Sequence, residues 1–342
     1  MPARRPVVVA VIAVVVLAVG VLVWWRGGSG EPSTSAAAEA LTPSRSSTVP
    51  SSAELVYERV DGPSRTVVRD QDGDVVAVFT DDARTVLVNG PRRTFSEPAA
   101  TPAKVNTSAW VRLSPQPWRA GAENDAWFRD WFAAARLDTS PDVLEVAAQY
   151  IAGAPAETDA KGVRFRGDAS FGPVKASGAG RQEQSDFYDY LGVPWQFPGG
   201  PSVRPEQSRY GAVDCSGYVR LVFGYRLGMP LLGTNTAGPG LPRRAYALSR
   251  FGPGVQLVAD EGRRATDYGV LQPGDLVFFE VEDDPDTLDH VGIYLGLDDR
   301  GKHRFISSRE RVNGPTMGDV GGTSLLDDGG HYSKAWRSAR RL

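Results

Sequence analysis

Cys215 is the sole cysteine of this 342-residue chain, and so the only side chain that could act as a thiol nucleophile. It stands in Tyr210-Gly-Ala-Val-Asp-Cys-Ser-Gly-Tyr218, directly before an apolar-periodic segment. Val219, Val222, Phe223 and Leu227 share one helical face there, and Gly228 and Pro230 close the helix. Asp214 therefore reads as the helix cap, with Cys215 in the first turn. The N–H groups at a helix start favour a thiolate and can hold an oxyanion. A reactive Cys215 is expected, with Asp214 and Ser216 lining the approach. Gly217 is a poor helix former and is expected to leave room for a substrate backbone. Most free cysteines are simply small buried hydrophobes, but burial alone does not explain a cap-Cys-Ser-Gly start.

A thiolate needs a proton carrier, and the chain offers three histidines. His290 opens His-Val-Gly-Ile-Tyr-Leu-Gly296, a strand with Val291, Ile293 and Leu295 on one face and His290, Gly292 and Tyr294 on the other. Leu271 to Phe279 reads as a turn and a buried strand, and Arg304 to Ser308 as another strand. Antiparallel pairing of the last two strands would bring a residue near Ser307 beside His290. His303 and His331 read as exposed loop residues.

The elements that must position these groups lie upstream. Residues 53–110 alternate in short apolar bursts with turn signals at Asp72-Gly73 and Asn89-Gly90, a small β-rich region. Asp70, Asp72 and Asp74 suggest a calcium loop, but the glycine is misplaced and no glutamate stands twelfth, so a hairpin turn is expected. Residues 111–180 form a helical connecting region. Asn124 to Arg136 is amphipathic, and its Trp127, Phe128, Trp131 and Phe132 form a core stripe in preference to a sugar-stacking platform. Ser140-Pro141 opens a second helix whose apolar face is Leu144, Ala147, Ala148 and Ile151.

At the amino end, Arg4 and Arg5 precede an apolar run over residues 6–25. Twenty residues of helix span ~30 Å, a bilayer's hydrocarbon core. The run exceeds a usual signal core of ~7–15 residues, which favours an uncleaved anchor over a signal peptide in residues 1–26. Residues 27–52 are a Gly/Ser/Pro-rich linker reaching about 28 Å as a coil. The expected localisation is the cell membrane with the remainder outside, or the cell wall if the segment is cleaved. A net charge of −3 argues against a nucleic-acid partner. One cysteine excludes an internal disulfide, and with three histidines it excludes the common structural zinc sites. No metal or organic cofactor is implied.

Asp214-Cys-Ser-Gly217, Pro273-Gly-Asp-Leu-Val-Phe-Phe279 and Asp289-His-Val-Gly-Ile-Tyr294 resemble the NlpC-type family of papain-like cysteine peptidases of bacterial cell walls. Leu191-Gly-Val-Pro-Trp195 with Gly199-Gly200, and Leu241-Pro-Arg243, resemble its entry segment and mid-domain loop. The resemblance covers residues 181–342. It implies an α+β, papain-like catalytic domain, with Cys at a helix start packed on an antiparallel sheet. It also implies hydrolysis of peptidoglycan stem peptides, typically between D-glutamate and a diamino acid. Cys215 then matches the nucleophile and His290 the general base. The third residue, usually His, Asn or Gln, falls on Ser307, with Ser308, His303 or a water as alternatives. Trp195 stands where the family commonly has a tyrosine that helps hold the oxyanion, and its indole N–H is the candidate substitute. Arg243 and Arg244 are candidates for gripping a substrate carboxylate, and 231–240 is an apparent insertion near the groove. A weak wall-binding module of the same fold, or an amidase or acyltransferase using the same thiolate, remain alternatives.

Overall fold

The structure is a computed structural model that describes residues 55–282 and 287–342. The expected anchor at 6–25 and most of the linker lie outside the described residues; among those described, no helix is long and apolar enough to cross a membrane.

Five strands form an antiparallel meander in sequence order: β1 (Val56–Val60), β2 (Arg65–Arg69), β3 (Val75–Thr80), β4 (Thr85–Ser96) and β5 (Lys104–Leu113). Adjacent residues such as Val67 and Val68, Val78 and Phe79, and Leu87 and Val88 divide between two separate cores. The strands read as apolar bursts because both faces are covered. Asp70 to Asp74 is a hairpin turn, the Asp70 carboxylate accepting from the Asp72 and Asp74 N–H groups at 3.1 and 3.0 Å. Asn89-Gly90 does not turn the chain as expected. It sits in a register shift of β4, because Pro91 interrupts the ladder and the Trp110 indole packs where a Gly90 side chain would stand.

Helix α1 (Ala126–Leu137) closes one face of this sheet, burying Phe128 and Phe132 against Phe79 and Trp118. Trp127 and Trp131 are half-buried at its edge. Helix α2 (Val143–Ala148) covers the other face. Its cap is Asp142 rather than Ser140, since the buried Asp142 carboxylate accepts from Glu145 N and Val111 N and pairs with Arg93. Two small hairpins follow: β6 (Glu157–Thr158) with β7 (Arg164–Arg166), and β8 (Trp195–Gln196) with β9 (Ser202–Val203). Between them lies α3 (Phe187–Leu191), with an Asp186/Asp189 capping box.

Helix α4 (Cys215–Val219) continues into a π-helical stretch, Arg220–Arg226. Helix α5 (Ala245–Phe251) follows. Strands β10 (Val255–Val258), β11 (Leu276–Phe279), β12 (His290–Leu297), β13 (His303–Arg309) and β14 (Gly314–Thr316), with short α6 (His331–Ala335) and β15 (Trp336–Arg341), complete the chain. The second sheet is antiparallel, in the order β10-β15-β11-β12-β13-β14. Leu276, Phe278, Val291, Ile293 and Ile306 share the core of Val213, Tyr218, Val219 and Val222 from the α4 region. Val277, Phe279, Tyr294 and Phe305 form a second core with Leu326, Tyr332 and Trp336. This is an α+β arrangement in which a helix beginning with Cys packs on an antiparallel sheet.

Buried polar contacts stitch the two sheets together. Arg341 pairs with Asp275 at 2.8 Å and donates to Thr80 Oγ1 of β3 at 2.7 Å. The Glu97 carboxylate accepts from Thr316 Oγ1 and Met317 N, at 2.7 and 2.8 Å. Leu342 O accepts from Arg84 N, Thr85 N and Thr85 Oγ1. Removing one partner of a buried pair strands the other charge, at a cost of ~3–5 kcal/mol. Arg341→Ala is therefore expected to lower stability by about that amount in urea denaturation. Both sheets are expected to unfold in one transition, since each contributes a side of the contact.

Candidate active site

Cys215 begins α4, and the cap before it is held from several directions. The Asp214 carboxylate accepts from Gly217 N at 2.7 Å and Gln184 N at 2.9 Å. Arg243 grips it with two nitrogens, at 3.1 and 2.7 Å, and donates to Ser216 Oγ at 2.8 Å. Arg243 also lies 3.4 Å from Asp186, which pairs with the fully buried Arg220 at 3.0 Å. Burial pushes the Asp214 carboxyl up, but Arg243 and the Gly217 N–H outweigh it and hold the group below its ordinary value. Arg243 therefore braces the cap instead of facing a substrate carboxylate. Gly217 makes room for the protein's own chain: a Cβ there would stand 2.3 Å from Ser185 O and 3.0 Å from Asp186 Cα.

The thiol lies at the edge of a cavity of about 380 Å³. Glu183, Ser216, Asn235, Arg244, Tyr246 and Asp289 are among its lining residues. Sequence reasoning gave no site role to Glu183, Asn235, Tyr246 or Asp289, which come from four separate segments, although Asp289 opens the His290 motif and Asn235 lies in the 231–240 stretch. Asn235 belongs to the 231–240 stretch, and its Oδ1 accepts from Arg244 N at 2.9 Å, so this stretch does reach the cavity. Arg244 faces Glu183 across 3.6 Å. Burial first, then the carboxylates of Glu282 and Asp214, push Glu183 up to about 7. Asp289 accepts from Val281 N and Glu282 N at 2.9 and 2.7 Å, which fixes the approach to β12.

Cys215 Sγ rests against the backbone on either side of His290. It donates to Asp289 O across 3.7 Å and accepts from the Val291 N–H. No hydrogen bond joins it to the imidazole. Burial raises the thiol pKa, and Asp214 and Glu183 add to that. The helix-start effect expected to favour a thiolate is thus outweighed by desolvation and two nearby carboxylates.

The His290 ring packs on Phe279 and Tyr332, with centroids 5.8 and 5.3 Å away, and its Nε2 is buried without a partner. Desolvation, then the positive charge of Arg309, lower its pKa to about 3. The β12–β13 register pairs Ile293 with Ile306 and Tyr294 with Phe305. Continued toward the start of β12, it sets Gly292 opposite Ser307 and His290 opposite Arg309. Ser307 shares the imidazole's face, but its hydroxyl accepts from Arg309 Nε at 3.0 Å and makes no bond to His290. Ser308 donates to Val213 O at 2.7 Å. His303 stands at the far end of β13, bonded to Tyr294 at 2.7 Å and stacked on Tyr268. It is neither a partner of His290 nor the exposed residue expected. His331 is exposed, and its ring meets Tyr332. Trp195 packs on Phe187 and Tyr225, away from the cavity lining, with its Nε1 buried and unpartnered. It is therefore not placed to help hold an oxyanion as expected.

The NlpC/P60 family model matches residues 192–333, inside the part of the chain where the resemblance was expected. Members of that family are generally cell-wall peptidases acting on peptidoglycan peptides. Two solved structures are similar to the chain. One is a NlpC/P60 family protein from Bacillus cereus ATCC 10987, 16% identical, with 84% of this chain and 79% of that chain covered and a TM-score of 0.26. The other is NlpC1 from Trichomonas vaginalis, 12% identical, with 85% and 90% covered and a TM-score of 0.29. Neither is close enough to bear on the geometry here. No curated protein matches the chain.

A histidine held neutral by the fold makes stability depend on pH. The unfolded chain takes up its proton near pH ~6.5, and the folded site does so only near about 3. His290 therefore contributes stability above the unfolded value, and that contribution is lost as pH falls from there toward the folded one. Between about pH 6.5 and 4.5 the loss is roughly 2–3 kcal/mol. Unfolding free energies from urea denaturation at those two pH values are expected to differ more in the wild type than in His290→Leu, by about that amount.

Proposed function

We propose that the chain is a cysteine peptidase that hydrolyses peptide bonds in peptidoglycan stem peptides, at the bond between D-glutamate and a diamino acid. One observation carries the reading: the only thiol of the chain stands at a capped helix start, on the edge of a cavity, against the backbone that flanks His290. Cys215 Sγ attacks the amide carbonyl as His290 receives the thiol proton, and the Cys215 N–H helps hold the oxyanion. His290 then returns the proton to the leaving amine, and water releases the acyl-enzyme. Arg244, on the cavity wall, is better placed than Arg243 to meet a substrate carboxylate. Residues 6–25 hold the protein at the outer face of the cell membrane, or direct it to the wall if they are cleaved.

A second reading, a wall-binding module with weak catalysis, has its own support. The thiol is not hydrogen-bonded to His290, and Ser307 is engaged by Arg309. Incubating the whole chain and its Cys215→Ala variant with purified peptidoglycan, then weighing the soluble fragments, separates the two. Fragments cut within the stem peptide and absent with Cys215→Ala are expected. Binding without release by either protein would favour the second reading.

A further inference from the structure

Arg309 is a buried cation with no counter-ion among the described residues. It is 2% exposed, and among the described residues no carboxylate stands within ion-pairing distance of it. Its donors go to neutral groups: Nε to Ser307 Oγ at 3.0 Å, Nη1 to Gly322 O at 2.5 Å, and Nη2 to Ser324 Oγ. Its guanidinium lies 4.3 Å from the Tyr332 ring centroid and 5.2 Å from that of Phe305. Tyr332 in turn packs on His290 with centroids 5.3 Å apart and planes 33° from parallel. A charge buried this way is costly unless the fold uses it. Here it stands on the strand beside the imidazole, where a hydrogen-bonding third residue would be sought.

We propose that Arg309 is the positioning residue for His290: it seats Tyr332 against the imidazole and sets a fixed positive charge on the strand beside it. This rests on the function proposed above. The charged and titratable groups that act on His290 are Arg309 from β13, His331 and Tyr332 from α6, and Asp214 before α4. Arg309 and His331 disfavour the imidazolium, and Asp214 alone among them favours it. His331 is exposed, so solvent screens it more than the buried Arg309. The tyrosine ring touches both the guanidinium and the imidazole and supplies no negative charge to either. The resting site then holds a thiol and a neutral imidazole. The S–H proton moves to His290 as the sulfur bonds to the carbonyl carbon, and leaves on the departing amine.

The test reads the imidazoles directly. The chain has three histidines, so nitrogen-15 ring spectra of labelled full-length protein resolve each one, with His303→Gln and His331→Asn giving assignments. Wild-type His290 is expected to stay neutral from pH ~8 to ~5. Arg309→Gln and Arg309→Met are expected to raise its midpoint by about one unit or more, a tenfold or greater change in proton affinity. Arg309→Lys is expected to leave it close to wild type, and His331→Asn to move it less than the neutral Arg309 variants do. Arg309→Met is included because replacing an unpaired buried charge with an apolar side chain is commonly tolerated, should the glutamine variant not fold. A wild-type His290 that protonates near pH ~6.5, or a midpoint unmoved in the folded neutral variant, would overturn the proposal. The readout needs no substrate, so it can fail while Cys215-dependent cleavage stands, and the reverse.

Discussion

The site depends on one buried carboxylate. Asp214 caps α4, receives Gln184 N, and is clamped by Arg243, which also reaches Ser216 and Asp186. Asp186 in turn caps α3 and pairs with Arg220. Arg220 donates to Leu232 O, near the start of the 231–240 stretch, and to Leu241 O, just past its end. One charge network thus fixes the helix that presents the thiol, the helix before it and a loop that lines the cavity. Buried ion pairs contribute little net stability once desolvation is counted, but removing one member is severe. Their effect here is geometric: Cys215 has one position relative to β12.

The same burial that fixes the site also decides its resting charge. The thiol is pushed up by desolvation and neighbouring carboxylates, and the imidazole is pushed down by desolvation and Arg309. Both shifts favour the neutral pair over the thiolate–imidazolium pair. A neutral imidazole is still the form that can accept a proton, so this does not disable the chemistry. It moves proton transfer from the resting protein into the reaction itself. The amino-terminal sheet supports the arrangement from outside: Glu97 holds Thr316 and Met317, where β14 pairs with the Ser307 end of β13.

Much of this was legible in the sequence, for physical reasons. Asp-Cys-Ser-Gly before a helical apolar period fixes a cap and a first turn by local rules, and α4 begins at Cys215 with Asp214 as cap. Alternation places His290 on the face of Tyr294, and both pack in aromatic surroundings. What local rules miss is competition for the same atoms. Arg243 could read as a substrate ligand only while its carboxylate partners were out of sight. Ser307 read as the third residue because strand parity is right, yet a neighbour two positions along the same strand takes its hydroxyl. Gly217 and Asn89-Gly90 were expected to serve a substrate and a turn, and long-range packing against Ser185 and Trp110 decided both.

The most direct measurement of the account is the pH dependence of Cys215 alkylation by iodoacetamide in the intact chain. Cys215 is the only cysteine, so mass spectrometry of the adduct reports one group. Since only the thiolate reacts, alkylation is expected to be slow near neutrality, with a rate that climbs without a plateau beyond pH ~8.5. A fast, pH-independent rate between about pH 5 and 7 would mean a preformed thiolate–imidazolium pair, and would contradict it.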